Sequence, residues 1–292
     1  MISQIKNNFQ VYRKWCSMTN FIWNWDETTE WLFLKDAFLA SKLASKPAKI
    51  LEFGVWKGGW IFTFLANSPE SIAVGVDPYP DLARIRSQFL DTAENLGFLE
   101  RIKLFSAFSE MRESASEALI FDLIHVDGEH TEDATFQDLN NAKSILSPDG
   151  IIIADDLFYS DYPGVASAIF RFIHESDFSP FCVTSKKIYM CHSSNYDAYY
   201  AKTRNILIEN QIPFLEDDNL TKNSNISYKQ SNSVKGFPLL VVVNSISNNK
   251  EFLRASGVRN EPMTVKKILK LWLPPIFIQI AQRLRRLVNF LT

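Results

Sequence analysis

Residues 50–60 read ILEFGVWKGGW, an apolar run closed by one carboxylate and succeeded at once by three of the ten glycines in the chain. Glycine lacks a Cβ and tolerates positive φ, so a turn built this way lets backbone come close to a ligand or to a neighbouring strand. A Gly-rich turn directly after a hydrophobic strand decides how the next hundred residues are read.

From Lys49 to Asp156 short apolar runs alternate with amphipathic stretches: KILEFG, GWIFTFLAN, SIAVGVD, DLARIRSQFLDTAENLG, RIKLFS, EMRESASEAL, FDLIHVD, TFQDLNNAKSIL and GIIIADD. Strands such as IAVGV and GIIIA are apolar throughout instead of alternating, as expected where helices cover both faces of a parallel sheet. The pattern predicts a doubly wound, mostly parallel α/β sheet of the Rossmann-like kind. Such sheets bind ligands beyond the carboxyl ends of their strands, and here those ends are acidic: Glu52 before Gly54, Asp77 after the second strand, Asp127 after the fourth, Asp155 and Asp156 after the fifth.

The turn spacing is E-x-G-x-x-x-G, not the G-x-G-x-x-G that sets a helix N-terminus against a pyrophosphate. That argues against a nicotinamide-dependent oxidoreductase. Glu52 would repel a phosphate and attract a cationic group, while Asp77 is placed to accept the two hydroxyls of a ribose. Singly, a Gly-rich turn can be only a turn and a strand-terminal Asp only a helix cap. In this order they point to S-adenosylmethionine.

Asp127, Asp155 and Asp156 close two strands expected to be neighbours, and carboxylates forced together repel unless they are protonated or neutralised by a cation. A hard oxygen set selects Mg²⁺, Mn²⁺ or Ca²⁺; the alternative is that these aspartates cap the next segments of chain. His130, three residues after Asp127, has an ordinary pKa of about 6.5 and suits a general base, although the same position allows a helix cap or a metal ligand. His125, inside the fourth strand, reads as a packed sheet residue.

Over residues 45–192 the sequence resembles the class I S-adenosylmethionine-dependent methyltransferases: ILEFGVWKGG and VGVDPYPD match the first two motifs, FDLIHVDGEH and LSPDGIIIADD the fourth and fifth strands. The D-G-x-H and D-D pair followed by Pro163-Gly164-Val165 looks most like the small-molecule O-methyltransferases of the catechol and macrolide-sugar type. The resemblance implies a seven-stranded sheet, with Glu52, Gly54 and Gly58 around the methionine portion of the cofactor, Asp77 on the ribose, and Ser106, Ala107 and Phe108 beside the adenine. It further implies a divalent ion, Mg²⁺ by preference, on Asp127, Asp155 and Asp156, and His130 taking the proton of an acceptor hydroxyl, with Asp127 serving both cofactor and catalysis. The sequence departs from the family at Trp60, where small hydroxyl residues are usual, and at LSPDG, which replaces the more frequent P-G-G.

Outside that stretch, residues 1–45 read as helical and aromatic, with Trp15, Trp23, Trp25 and Trp31 expected chiefly in the core. After a domain at 46–194, the segment 195–262 reads as an irregular extension with one strand, FPLLVVVNS, and a polar loop, DDNLTKNSNISYKQSNSVKG. Residues 263–292 carry six Lys/Arg and no acid around Pro274-Pro275, a basic amphipathic pattern suited to a docked helix or to peripheral contact with an anionic membrane face. The formal charge of −2 over 292 residues gives no global attraction to nucleic acid. Three scattered cysteines imply neither a disulfide framework nor a zinc site, and with no apolar leader or long apolar run the expectation is a cytoplasmic protein, its oligomeric state open. The expected activity is methyl transfer to a hydroxyl of a small molecule or saccharide; a non-catalytic binding or scaffold module of the same fold is the alternative.

Overall fold

The computed structural model describes residues 2–19, 27–79, 83–115, 119–209 and 224–246. All of them belong to one compact unit, Met1–Ser247. The basic segment 263–292, residues 217–223 of the expected polar loop, Trp23 and Trp25 lie outside the described residues.

Two helices, α1 (Ile2–Thr19) and α2 (Glu27–Ala44), precede β1 (Lys49–Phe53), α3 (Gly59–Asn67), β2 (Ile72–Val76), α4 (Ala83–Leu96), β3 (Ile102–Phe105), α5 (Phe108–Glu113), β4 (Phe121–Val126), α6 (Glu132–Ile145), β5 (Leu146–Ala154) and α7 (Pro163–Glu175). An antiparallel pair, β6 (Phe178–Val183) and β7 (Ile188–His192), then leads through α8 (Tyr196–Glu209) to β8 (Ser224–Val234) and β9 (Phe237–Ile246). The strand order is β3-β2-β1-β4-β5-β7-β6-β9-β8, parallel from β3 to β5. The chain runs outward from β1 to β3 and then returns to place β4 beside β1, so the topological switch point lies between β1 and β4.

Successive strand residues point to opposite faces, and both faces are covered. Ile50, Leu123, Ile151 and Ile153 enter a core with α1, α2, α3 and α8. Leu51, Phe53, Ile124, Val126 and Ile152 enter the other, with α6 and α7. This double burial explains why the strand sequences do not alternate.

The expected seven strands are present, and two more extend the sheet. The 195–262 segment is more regular than its composition suggests: it supplies a helix and two strands, not one, and β9 pairs parallel to β6. The polar run SNISYKQSNSV is a strand because it pairs antiparallel with β9 across a two-residue turn, Lys235-Gly236, both with positive φ (53° and 84°). That conformation matches the twist of a hairpin. No helix among the described residues is long and apolar enough to cross a membrane.

Candidate active site

At the switch point the strand ends surround a cavity of about 940 Å³. Glu52, Gly54, Asp77, Ser106, Ala107, Phe108, Asp127, His130, Asp155 and Asp156 all line it, so ten of the residues singled out in the sequence open on one crevice. Gly58 is not among them. A Cβ there would lie 2.4 Å from the Phe89 ring, and its φ of 80° starts α3, so this glycine serves packing and the turn. Gly54 is fixed more severely: with φ 77°, a Cβ would lie 1.8 Å from the Asp127 carbonyl oxygen. The turn after β1 therefore presses against the turn after β4, which brings the two acidic strand ends together.

Asp77 is tied to that turn. Its Oδ2 accepts from the backbone N–H of Val55 at 3.0 Å and of Trp56 at 2.7 Å, and its Oδ1 from Tyr79 N–H at 2.9 Å. A carboxylate offers about four acceptor positions, so roughly one remains for a ligand hydroxyl. Beyond β3, Ser106 N–H donates to Glu110 Oε2 at 2.7 Å, and Phe108 packs on Phe53 with ring centroids 5.8 Å apart. Two non-glycine residues on the cavity wall, Trp56 and Asp156, have φ of 46° and 54°, a conformation that persists only where its surroundings enforce it.

Strand register builds the deep wall. Glu52 lies opposite His125, His125 opposite Ile153, and Ile153 opposite Tyr189. One step further along the same face come Asp155 and, running the other way, Lys187. A polar chain results: Glu52 Oε1 to His125 Nδ1 at 2.9 Å, His125 Nε2 to Lys187 Nζ at 2.8 Å, and Lys187 Nζ to Asp155 Oδ2. Trp60 stacks on the His125 ring at 4.4 Å and 15°. His125 is thus a packed sheet residue, as expected, and also the link in this chain.

Burial drives the charges here. It pushes the Glu52 carboxyl well above the usual range, with Asp127 adding to it, and it pushes the His125 imidazole well below, helped by Lys187. Burial also opposes charge on Lys187 and Asp155, but each outweighs it for the other: the ammonium is held above its ordinary range and the carboxyl well below. Glu52 Oε2 is buried without a hydrogen-bond partner, on the cavity wall. So is Asp36 Oδ1, contributed by α2, whose carboxyl burial raises to about 7.

His130 Nε2 lies 3.4 Å from Asp127 Oδ1 and 3.2 Å from Asp156 Oδ2, with its ring stacked on Tyr162 at 4.1 Å and 9°. Its hydrogen bond to Asp127 raises the imidazole pKa, whereas burial and then Asp155 push Asp127 up to about 7. His130 does not cap the next helix; Thr131 does, accepting from Ala134 N–H at 3.3 Å.

Among the described residues, two sets of groups have candidate ligand atoms within 4.8 Å of one another, Asp127 with His130 and Asp156 and Asp127 with Glu52 and His125, and neither is the three aspartates together. Asp155 Oδ2 is already taken by the Lys187 ammonium, and Lys186 Nζ lies 3.7 Å from Asp156 Oδ1. The set of three aspartates expected to hold a hard cation is therefore not assembled: Asp155 is paired with a lysine, and Asp127 and Asp156 are joined by an imidazole.

Sequence reasoning missed Lys186, Lys187 and Asp36. The first two left a signal: β5 and β7 are antiparallel with Ala154 opposite Ile188, and continuing that register sets the Asp155-Asp156 pair against Lys187-Lys186. Trp15 sits in the core, 2% exposed, and also lines the cavity, its Nε1–H donating to the Lys57 carbonyl at 2.7 Å.

Such a crevice, at the switch point of an open Rossmann-like α/β sheet and walled by strand-end carboxylates, lies where sheets of this kind bind their ligands. Residues 51–157 match the family model described as a methyltransferase domain. No match is found among curated proteins. Among solved structures, the chain is similar to the O-methyltransferase from Bacillus cereus in complex with SAH (15% identity, 64% of this chain and 90% of that one, TM-score 0.48). It is similar also to the SAH-bound Podospora anserina methyltransferase PaMTH1 (16%, 62% and 87%, 0.48). CalS11, a TDP-rhamnose 3'-O-methyltransferase of calicheamicin biosynthesis, gives 18%, 56% and 79%, and 0.46.

Proposed function

We propose that the chain is an S-adenosylmethionine-dependent O-methyltransferase that modifies a hydroxyl of a small molecule or saccharide. The observation that carries this reading is the convergence of Glu52, Asp77, Asp127 and His130 on one crevice. When bound, the cofactor supplies a methyl group on a positively charged sulfur. Acidic walls favour such a ligand over a phosphate-bearing one. Glu52 Oε2, buried and unpartnered, would take the cofactor's ammonium, and the remaining acceptor position of Asp77 would take a ribose hydroxyl. Phe108 and its neighbours Ser106 and Ala107 would face the adenine.

His130 in its neutral form would accept the proton of the acceptor hydroxyl as that oxygen attacks the methyl carbon. Asp127 and Asp156 would then stabilise the imidazolium, which is the same effect that raises its pKa. Holding the two reactants in line supplies most of the acceleration. Isothermal titration of the full chain with S-adenosylmethionine and with S-adenosylhomocysteine tests the reading. Saturable binding of both is expected; no binding of either would overturn it in favour of a scaffold module.

A further inference from the structure

We propose that Lys187, together with Lys186, takes the place of a divalent ion at the strand-tip aspartates, so that this site works without a metal. The inference deepens the methyltransferase reading: it draws its importance from that reaction, and its geometry stands apart from it.

Three carboxylates meet at the tips of β4 and β5, a repulsive arrangement unless cations neutralise it. The chain supplies a lysine for two of them. Lys187, 1% exposed at its side chain, sets its Nζ on Asp155 Oδ2 and on His125 Nε2. Lys186 faces Asp156 Oδ1 at 3.7 Å, and His130 bridges Asp127 and Asp156.

The delivery is built into the backbone. Thr184 N–H donates to the Lys187 carbonyl at 2.8 Å, closing the β6–β7 turn, and Leu157 N–H donates to the Lys186 carbonyl at 2.9 Å, tying the segment after β5 to that turn. Two consecutive lysines are thereby held opposite two consecutive aspartates. The Lys187 ammonium cannot give way easily, because leaving would strand a buried Asp155 carboxylate and a buried amine. An ion drawn to Asp155 would sit beside a fixed positive charge in a poorly screened site.

The test uses the full chain freed of metals with a chelator and titrated with Mn²⁺, monitored by the loss of the free-ion electron paramagnetic resonance signal and by calorimetry. Wild type is expected to show no saturable site, and its affinity for S-adenosylhomocysteine to be the same with and without chelator. Lys187→Met, confirmed folded by circular dichroism, is expected to gain one saturable Mn²⁺ site, binding at least tenfold more tightly than wild type. Lys186→Met, at a partly exposed position, offers the same readout from Asp156 should Lys187→Met not fold. A saturable Mn²⁺ site in wild type that Asp127→Asn abolishes would overturn the proposal, as would folded lysine variants that remain blind to Mn²⁺. Failure to bind S-adenosylhomocysteine would strike the methyltransferase reading and leave the Mn²⁺ result to decide this one.

Discussion

Asp77→Asn separates two roles that the geometry gives one side chain. The carboxylate accepts three backbone N–H groups, two of them from the Gly-rich turn. An asparagine can keep its oxygen on Val55 and Trp56, but its amide NH₂ would then face the Tyr79 N–H, donor against donor. Two charge-assisted bonds would fall to neutral strength, losing about 0.5–1.5 kcal/mol each, and the third would be lost. The turn borders solvent, so the sum is discounted to roughly 2–3 kcal/mol, or a drop of roughly 5–10 °C in thermal midpoint for a domain of this size. Cofactor affinity should fall in parallel by about tenfold to a hundredfold, because a ribose hydroxyl loses a charged acceptor. Differential scanning calorimetry and titration with S-adenosylhomocysteine measure the two effects separately. A thermal midpoint within about 1 °C of wild type would refute the turn-holding role, whereas a lowered midpoint with unchanged affinity would remove Asp77 from the ribose and leave it purely structural.

The same geometry sets the outcome of other perturbations. His130→Gln should lower the methyl-transfer rate about 10²- to 10⁴-fold while S-adenosylhomocysteine affinity stays within about threefold; a rate loss under about tenfold would exclude the base role. Because the His130 pKa lies above its ordinary value, the wild-type rate should rise with pH through an inflection above about 6.5, and an inflection below that would contradict the hydrogen bond from Asp127. Asp127 and Asp36 titrate near 7 in the fold and near 4 when unfolded, so between those values the native state binds more protons. Stability should therefore fall as pH rises from about 4 to 7, a slope that Asp127→Asn reduces; Asp155, held low by Lys187, acts oppositely, its contribution being lost as pH drops below about 4. Gly54→Ala should destabilise by at least about 3 kcal/mol in urea unfolding, since a backbone carbonyl blocks its Cβ, while Gly97→Ala, at φ 75° with nothing within 4 Å, should lose only about 1 kcal/mol; equal losses would refute the close-approach argument.

Much of the fold was legible in the chain because it depends on local signals. Apolar runs with no alternation announced strands covered on both faces, and the residue that closed each run marked the rim of the crevice, so Glu52, Asp77 and Asp127 were found without knowing the strand order. What escaped notice was non-local. Lys187 and Asp155 are 32 residues apart, and only the antiparallel register of β5 and β7 makes them partners. Asp36 reaches the cavity from a helix that precedes the sheet, a position no strand pattern describes. The α8 sequence YDAYYAKTRNILIE buries only Tyr196, Thr203 and Leu207, too sparse a stripe to read as an amphipathic helix, and β8 owes its form to the partner strand. At Gly58, a turn glycine near a carboxylate looks the same in sequence whether a cofactor or a phenylalanine ring excludes its Cβ, and the Phe89 ring is seen only in the fold.

The polar chain behind the crevice has a direction, and that direction prepares one atom. An ammonium can only donate, so Lys187 fixes His125 Nε2 as the acceptor and leaves the proton of the neutral imidazole on Nδ1, from which it is donated to Glu52 Oε1. Trp60, stacked flat on the ring, holds the imidazole in that plane and occupies a position where a hydroxyl would offer it a competing partner. Glu52 is left with Oε2 aimed at the cavity and nothing to satisfy it. A buried acceptor of this kind is expensive unless something completes it. Burial raises the carboxyl pKa, so a cation arriving at Oε2 would both supply its missing partner and draw the group back toward the ionised form. Lys187 thus acts at two strand ends of the crevice: it pairs with Asp155 after β5 and, through His125, orients Glu52 on β1.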